Sequence, residues 1–135
     1  MKKLFYIFVA FMSIIACSGQ DDIDQNLLLG EWNCNYIAIK TTETKTGKVL
    51  NDTVYPYHWK MKFYENETLS SEEYFKEMYH YSVHGDELII NYNAKFKIEE
   101  LTKNSLRLYF KQESFNYDYE KYITKHYSYV FSKMN

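Results

Sequence analysis

Apolar and polar residues alternate along most of the chain beyond residue 30. Single lysines separate Trp59, Met61 and Phe63, and several later segments keep the same period of two. Alternation sends successive side chains to opposite faces of a strand, so each segment buries one face. The 15 tyrosines also favour pleated, half-buried surfaces. The pattern predicts eight strands, near residues 31–40, 56–65, 67–75, 77–84, 86–91, 94–101, 105–115 and 120–132.

Turn-forming residues separate these strands. Asn66, Gly85 and Asn104 lie between successive segments, and both residue types tolerate the positive φ that tight hairpins need. Pro56 is expected at the start of the second strand, where no ladder donor is required. Residues 41–55 form the longest link and are expected to be an exposed loop. Short links predict antiparallel neighbours, and eight such strands can close into an up-and-down β-barrel.

Residues 70–81 leave an alternative open. Ser70 and Glu73 have the spacing of a helical capping box, and the apolar residues that follow lie three or four positions apart. A helix here would make the fold α+β. Strands are favoured because the segments on both sides need hairpin partners.

A glycine and a tryptophan open the first predicted strand. Gly30 and Trp32 form a Gly-x-Trp that resembles the signature at the start of lipocalin barrels. With the hairpin pattern over residues 27–133, the chain resembles the small lipocalin-like lipoproteins of Bacteroidota. The resemblance implies an all-β, eight-stranded antiparallel up-and-down barrel. It also implies that the tryptophan fills the closed end and that the interior binds a small apolar ligand.

One basic residue departs from the lipocalin pattern. Lipocalins often place an arginine from the far end of the chain over that tryptophan, but Arg107 falls in the seventh predicted strand. Lys133 is the candidate substitute, although a lysine stacks on an aromatic ring less well than an arginine. The departure leaves open whether the barrel closes fully.

The first residues of the chain have the pattern of a secretory signal. Lys2 and Lys3 precede an apolar run over residues 4–16, which is shorter than the roughly 20 residues that span a bilayer. Ile15, Ala16 and Cys17 resemble a bacterial lipobox, which implies that residues 1–16 are removed and that lipid is attached to Cys17. The polar residues 17–26 are predicted to be a tether, and residues 27–135 the barrel domain.

Charge and the residues after the cysteine bear on location and partners. Removal of two lysines takes the formal net charge from −2 to −4, and this acidity argues against nucleic acid. Ser18 argues against inner-membrane retention, and the Asp21-Asp22 pair resembles the surface-export signal of Bacteroidota lipoproteins. We expect a monomer held at the outer membrane by its lipid, and the resemblance to the export signal implies a domain that faces outward.

Candidate catalytic and metal-binding groups are sparse. His80 and His84 share a strand face but lie about 13 Å apart at strand rise, too far for one ion. Asp118 and Glu120 form a carboxylate pair that a solvated turn also explains. Cys34 is expected to be a buried small hydrophobe rather than a nucleophile. The sequence therefore predicts no enzyme activity, no cofactor and no metal.

Aromatic residues are the best candidates for binding. Exposed aromatic faces beside hydrogen-bonding groups suit an apolar ligand, a sugar ring or a partner protein, although packing that seals one end of the barrel would use the same residues. The leading hypothesis is non-catalytic binding of a small apolar ligand. The alternative is a structural or interaction module that contacts a protein or glycan through aromatic loop ends. The candidate residues are Trp32, Tyr57, Trp59, Phe63, Tyr117 and Tyr119.

One threonine lies in a candidate modification motif. Asp52, Thr53 and Val54 resemble the acceptor sequence for O-glycosylation in Bacteroidota. The resemblance implies a glycan on Thr53, and an ordinary turn would explain the same residues equally well.

Overall fold

A computed structural model of the protein describes residues 23–71 and 75–134. The predicted signal peptide and the lipid-attachment residue Cys17 lie outside these ranges. A short 3-10 turn, Gln25–Leu27, precedes eight strands. The strands are β1 (Gly30–Glu43), β2 (Val49–Phe63), β3 (Thr68–Ser71), β4 (Phe75–His84), β5 (Glu87–Ile90), β6 (Ala94–Leu101), β7 (Ser105–Asn116) and β8 (Lys121–Lys133).

The strands form one closed antiparallel barrel in sequence order. Each strand pairs with its neighbour in the chain, and β1 also pairs with β8 to complete the ring. The predicted all-β, lipocalin-like up-and-down barrel is therefore confirmed. The helical alternative for residues 70–81 is wrong, because β3 and β4 occupy the described part of that segment. The strand pattern prevails over the helical spacing in this segment because each strand gains a hairpin partner.

The predicted loop over residues 41–55 is wrong. β1 continues to Glu43 and β2 begins at Val49, so the turn covers only residues 44–48. Pairs such as Ile39 with Thr53 and Thr41 with Asn51 extend the ladder through this polar stretch. The threonines and valines here are β-branched and favour extended backbone, and pairing satisfies their backbone groups despite the polar composition.

Pro56 lies within β2 rather than at its start. It faces Tyr36 beside a β-bulge, where the register shifts between Cys34 and Tyr36. On the other side of β2, pairing with β3 among the described residues runs only from Met61 to Phe63. A proline is tolerated there because a bulge and a free strand edge need no ladder donor at that position.

The core fills the end of the barrel where β1 begins. Alternating positions near this end of the strands point inward and are buried. The Phe63 and Tyr81 rings meet edge to face, with centroids 4.9 Å apart. Burial and the Glu67 carboxylate raise the pKa of Tyr81, whose hydroxyl donates to the Tyr64 carbonyl at 3.1 Å. The fully buried side chains include Leu28, Trp32, Phe63, Leu69, Leu88, Leu106, Leu108 and Phe131.

Trp32 and Lys133 close this end of the barrel. The Trp32 indole Nε1 donates to the Leu28 carbonyl at 2.7 Å, and the ring is fully buried. The Lys133 ammonium lies 4.5 Å from the ring centroid and donates to the carbonyls of Leu27 and Leu29. Burial lowers the pKa of Lys133. Lys133, the candidate identified from the sequence, therefore lies over Trp32, and the barrel is closed.

Gly30 makes this closure sterically feasible. Its φ is +109°, and a Cβ added there would lie 3.1 Å from both Cε and Nζ of Lys133. We expect Gly30→Ala to lower the free energy of unfolding by about 2 kcal/mol, because it adds backbone strain and displaces the ammonium. Urea denaturation measures the change.

Gly47→Ala is the matched control for this substitution. Gly47 also has a positive φ, +76°, but nothing lies within 4 Å of an added Cβ. We expect a loss of about 1 kcal/mol from strain alone. Equal losses for the two variants would show that contact with Lys133 contributes nothing.

Candidate functional site

Aromatic side chains line the end of the barrel opposite Trp32. We call Tyr57, Phe96, Phe110, Tyr127 and Tyr129 the mouth cluster. Tyr57, Phe96 and Tyr129 pack against the buried core. Phe110 follows Leu106 and Leu108 on the inner face of β7, and Tyr127 and Tyr129 precede Phe131 on that of β8. The alternation that builds the core therefore also builds the mouth.

The rings of the mouth cluster form a continuous series. The Tyr129 ring lies between two others, with its centroid 6.1 Å from that of Tyr57 and 6.1 Å from that of Phe96. Phe96 is 6.0 Å from Phe110, and Phe110 is 5.7 Å from Tyr127. Most of these contacts are edge to face or tilted, as the ring quadrupoles prefer.

Phe110 of the mouth cluster is much more exposed than the core residue beneath the cluster. Trp59, whose ring lies 5.5 Å from that of Tyr129, is only 6% exposed. Phe110 is 37% exposed, although it lies on the same inner face. The next inner pair, Gln112 with Lys125, is polar. The mouth therefore offers apolar faces that are partly open to solvent, with tyrosine hydroxyls and a polar rim beside them.

The structure divides the six predicted binding residues among three places. Trp32 and Phe63 are buried at the closed end, where they pack the core. Tyr57 belongs to the mouth cluster, and Trp59 lies directly beneath it. The remaining two, Tyr117 and Tyr119, lie in the β7–β8 turn and are exposed.

Four mouth residues were absent from the sequence-based set of binding candidates. These are Phe96, Phe110, Tyr127 and Tyr129. The alternating pattern already assigns all four to the inward face of predicted strands. The pattern does not give the distance of each position from the closed end of the barrel. That distance depends on the register between all the paired strands of the barrel.

A second group of aromatic side chains lies at the end of the β7–β8 hairpin. We call Phe115, Tyr117, Tyr119 and Tyr122 the tip cluster. The Phe115 ring contacts Tyr117 at 5.1 Å and Tyr122 at 5.3 Å between centroids. The Asn116 side chain accepts hydrogen bonds from the backbone amides of Asp118 and Tyr119, at 2.9 and 3.1 Å, and so orders the turn. Tyr117 is 85% exposed.

The other candidate groups are dispersed. Cys34 is fully buried, as predicted. His80 faces Glu67 at 3.9 Å and the Tyr92 ring at 4.9 Å. Thr53 pairs with Ile39 within the ladder, and its hydroxyl donates to the Asn51 side chain at 3.1 Å. Within residues 23–71 and 75–134, no three His, Cys, Asp or Glu side chains converge as metal ligands would.

Comparisons of the chain with protein-family models, curated proteins and solved structures find no match. In the part of the chain that the structure describes, no helix has the length and apolar character needed to span a bilayer.

The burial of Cys34 leads to a test of its chemical role. In a Cys17→Ser background Cys34 is the sole thiol. We expect it to react with a thiol reagent only as the protein unfolds, because the reagent must reach a side chain with no exposed surface. Reaction rates measured across a urea series check this.

Asn35→Cys in the same background is the control. Asn35 is exposed and lies next to Cys34, so one thiol should react promptly in native buffer. If Cys34 itself reacts at that rate without urea, its assignment as an inert core residue is wrong.

Proposed function

We propose that this protein is a lipid-anchored barrel of the cell envelope that binds a small apolar ligand non-covalently at the mouth cluster. The observation that supports this most directly is the contrast between the two barrel ends. The closed end is filled by Trp32, Phe63 and their neighbours, whereas the mouth leaves Phe110 37% exposed. A ligand would bury aromatic surface that folding leaves in contact with water.

Apolar contact sets the expected strength of binding. Each 100 Å² of apolar surface removed from water contributes about 2.5 kcal/mol. Association costs several kcal/mol in lost freedom of motion. A micromolar dissociation constant corresponds to about −8 kcal/mol, so the ligand and the mouth cluster together would have to bury roughly 500 Å² of apolar surface to reach it.

The N-terminal segment supports a particular orientation. Ile23, the first described residue, packs against the core, and Trp32 lies near the start of β1 at the closed end. A chain from Cys17 to Ile23 spans at most about 22 Å when fully extended. A lipid on Cys17 would hold the closed end near the membrane and direct the mouth away from it. The outer membrane as the location stays a prediction from the sequence.

A neutral fluorescent probe, N-phenyl-1-naphthylamine, tests the proposed ligand site. We expect its fluorescence to rise on binding and Phe110→Ala to weaken binding about ten-fold, because one buried aromatic contact of roughly 1–2 kcal/mol is lost. Phe115→Ala is the matched control: both phenylalanines lie on β7, with 37% and 43% exposure. Phe115 lies outside the mouth, so its loss should leave binding unchanged.

The same pair of variants distinguishes the second candidate function. The tip cluster, with Tyr117 85% exposed, favours contact with a protein or glycan. If Phe115→Ala weakens probe binding and Phe110→Ala does not, the tip cluster is the apolar site and the mouth proposal is wrong. If neither variant changes the affinity, both assignments of the apolar site fail.

The proposed anchor has a separate test. In cells grown with radiolabelled palmitate, we expect label in the wild-type protein and none in Cys17→Ser, because acylation of the thiol requires the cysteine. Cys34→Ser, which removes the only other cysteine, should retain full labelling. Label on Cys17→Ser, or an unlabelled wild-type protein, would rule out the lipid anchor.

A further inference from the structure

The outer wall of the barrel contains a polar pocket, separate from the mouth. Its volume is about 310 Å³, at the lower end of the range for small-molecule sites. We call it the wall pocket. Strands β1, β2, β6, β7 and β8 contribute to its lining, which includes Lys40, Asp52, Glu99, Tyr109 and His126.

Small side chains form the floor of the wall pocket. Ala38 pairs with Ser128, and Ser128 pairs with Tyr109 on the next strand. Ala38 and Ser128 alternate with the inward-facing Ile37 and Tyr129, so they point outward. A depression forms between the larger side chains on either side of this pair.

His126 is fixed at the centre of the wall pocket. Its Nδ1 lies 2.5 Å from the Tyr109 hydroxyl, and its Nε2 lies 3.1 Å from Thr42 Oγ1. Thr42 in turn donates to the Thr124 carbonyl at 3.5 Å. All three contacts are satisfied when Tyr109 donates to Nδ1 and the Nε2 hydrogen is donated to Thr42, which is the neutral imidazole. The ring is therefore held before any ligand arrives.

Two lysines flank this histidine on adjacent strands. Lys40 faces His126 from β1, and Lys111 faces it from β7. Burial, followed by these two cations, lowers the pKa of His126. Two positive charges thus stand on either side of a neutral, ordered ring.

Two carboxylates also line the wall pocket. Asp52 faces Lys40 from β2, and Glu99 lies close enough to Tyr109 to add to burial in raising the pKa of that phenol. Lys97 and Glu113 are the other ionisable groups at the facing outward positions, opposite Tyr109 and Thr124. Among the residues with described side chains, Lys40, Lys111, Asp52 and Glu99 make no ion pair.

We propose that the wall pocket binds a small zwitterion, a free amino acid or a short peptide. Its carboxylate would lie over His126 between Lys40 and Lys111, and its ammonium group would contact Glu99 or Asp52. A simple anion would meet two carboxylates, and a simple cation would meet two lysines. A ligand with both charges complements both pairs.

Three related probes test the charge requirement. Glycylglycine carries both charges, N-acetylglycine only the carboxylate and glycinamide only the ammonium group. We expect saturable shifts of the His126 ring resonances with glycylglycine, and affinities about ten-fold weaker for the other two, since each lacks one charged contact. Equal affinity for all three probes, or no saturation with glycylglycine, overturns the proposal.

The ionisation of His126 gives an independent readout. A carboxylate bound between the lysines favours the imidazolium, so saturating glycylglycine should raise the pKa of His126. His58, which lies outside the pocket lining, serves as the internal reference. An unchanged or lowered pKa of His126 at saturation contradicts the proposed placement of the carboxylate.

A pair of lysine variants completes the test. Lys40→Gln removes one cation from the wall pocket and should weaken glycylglycine about ten-fold. Lys45→Gln removes an exposed lysine in the β1–β2 turn, outside the pocket, and should leave the affinity unchanged. If the two variants weaken binding equally, the protein attracts glycylglycine through its overall charge rather than at the wall pocket, and the proposed site is wrong. This test is independent of the proposed function, because a failure of N-phenyl-1-naphthylamine to bind at the mouth would not change the expected binding of glycylglycine at the wall pocket.

Discussion

Pairing between β1 and β8 joins the two ends of the described domain and fixes three places at once. The register runs from Trp32 opposite Lys133 to Glu43 opposite Ile123. At one end it brings the ammonium of Lys133 over the buried indole. Inside the barrel it brings Tyr129 of the mouth cluster opposite Ile37, and outside the barrel it brings His126 opposite Lys40. A different register between β1 and β8 would disrupt all three arrangements.

The pleat of β8 separates these roles on a single strand. Tyr127 and Tyr129 face the interior, while His126 and Ser128 face outward. Because side chains alternate with a period of two, a slip by one residue would exchange the aromatic and the polar face. Burial of Phe131 at the closed end opposes that slip, since its ring would then be exposed. Core packing therefore maintains both candidate binding surfaces.

Local pattern was sufficient for the strand order and for the burial of Cys34, whereas Lys133 over Trp32 was expected only from the resemblance to lipocalins. The pattern failed at the β1–β2 hairpin, where the polar residues read as a loop are held by pairing on both sides of β1. The wall pocket was also missed. Lys40, Tyr109 and His126 are distant in sequence, and only the register of the three neighbouring strands β1, β8 and β7 brings them together. Such cross-strand neighbours follow from ring closure, which no local pattern encodes.

Native mass spectrometry of the full protein, extracted from its own host's envelope, measures the central proposal most directly. If the protein is a lipid-anchored binding barrel, we expect the mass of residues 17–135 plus the mass of covalently attached acyl chains. We also expect an additional small mass that leaves on gentle collisional activation. A species that carries the acyl groups and releases nothing would contradict ligand binding at the mouth. A chain without acyl mass would contradict the anchor.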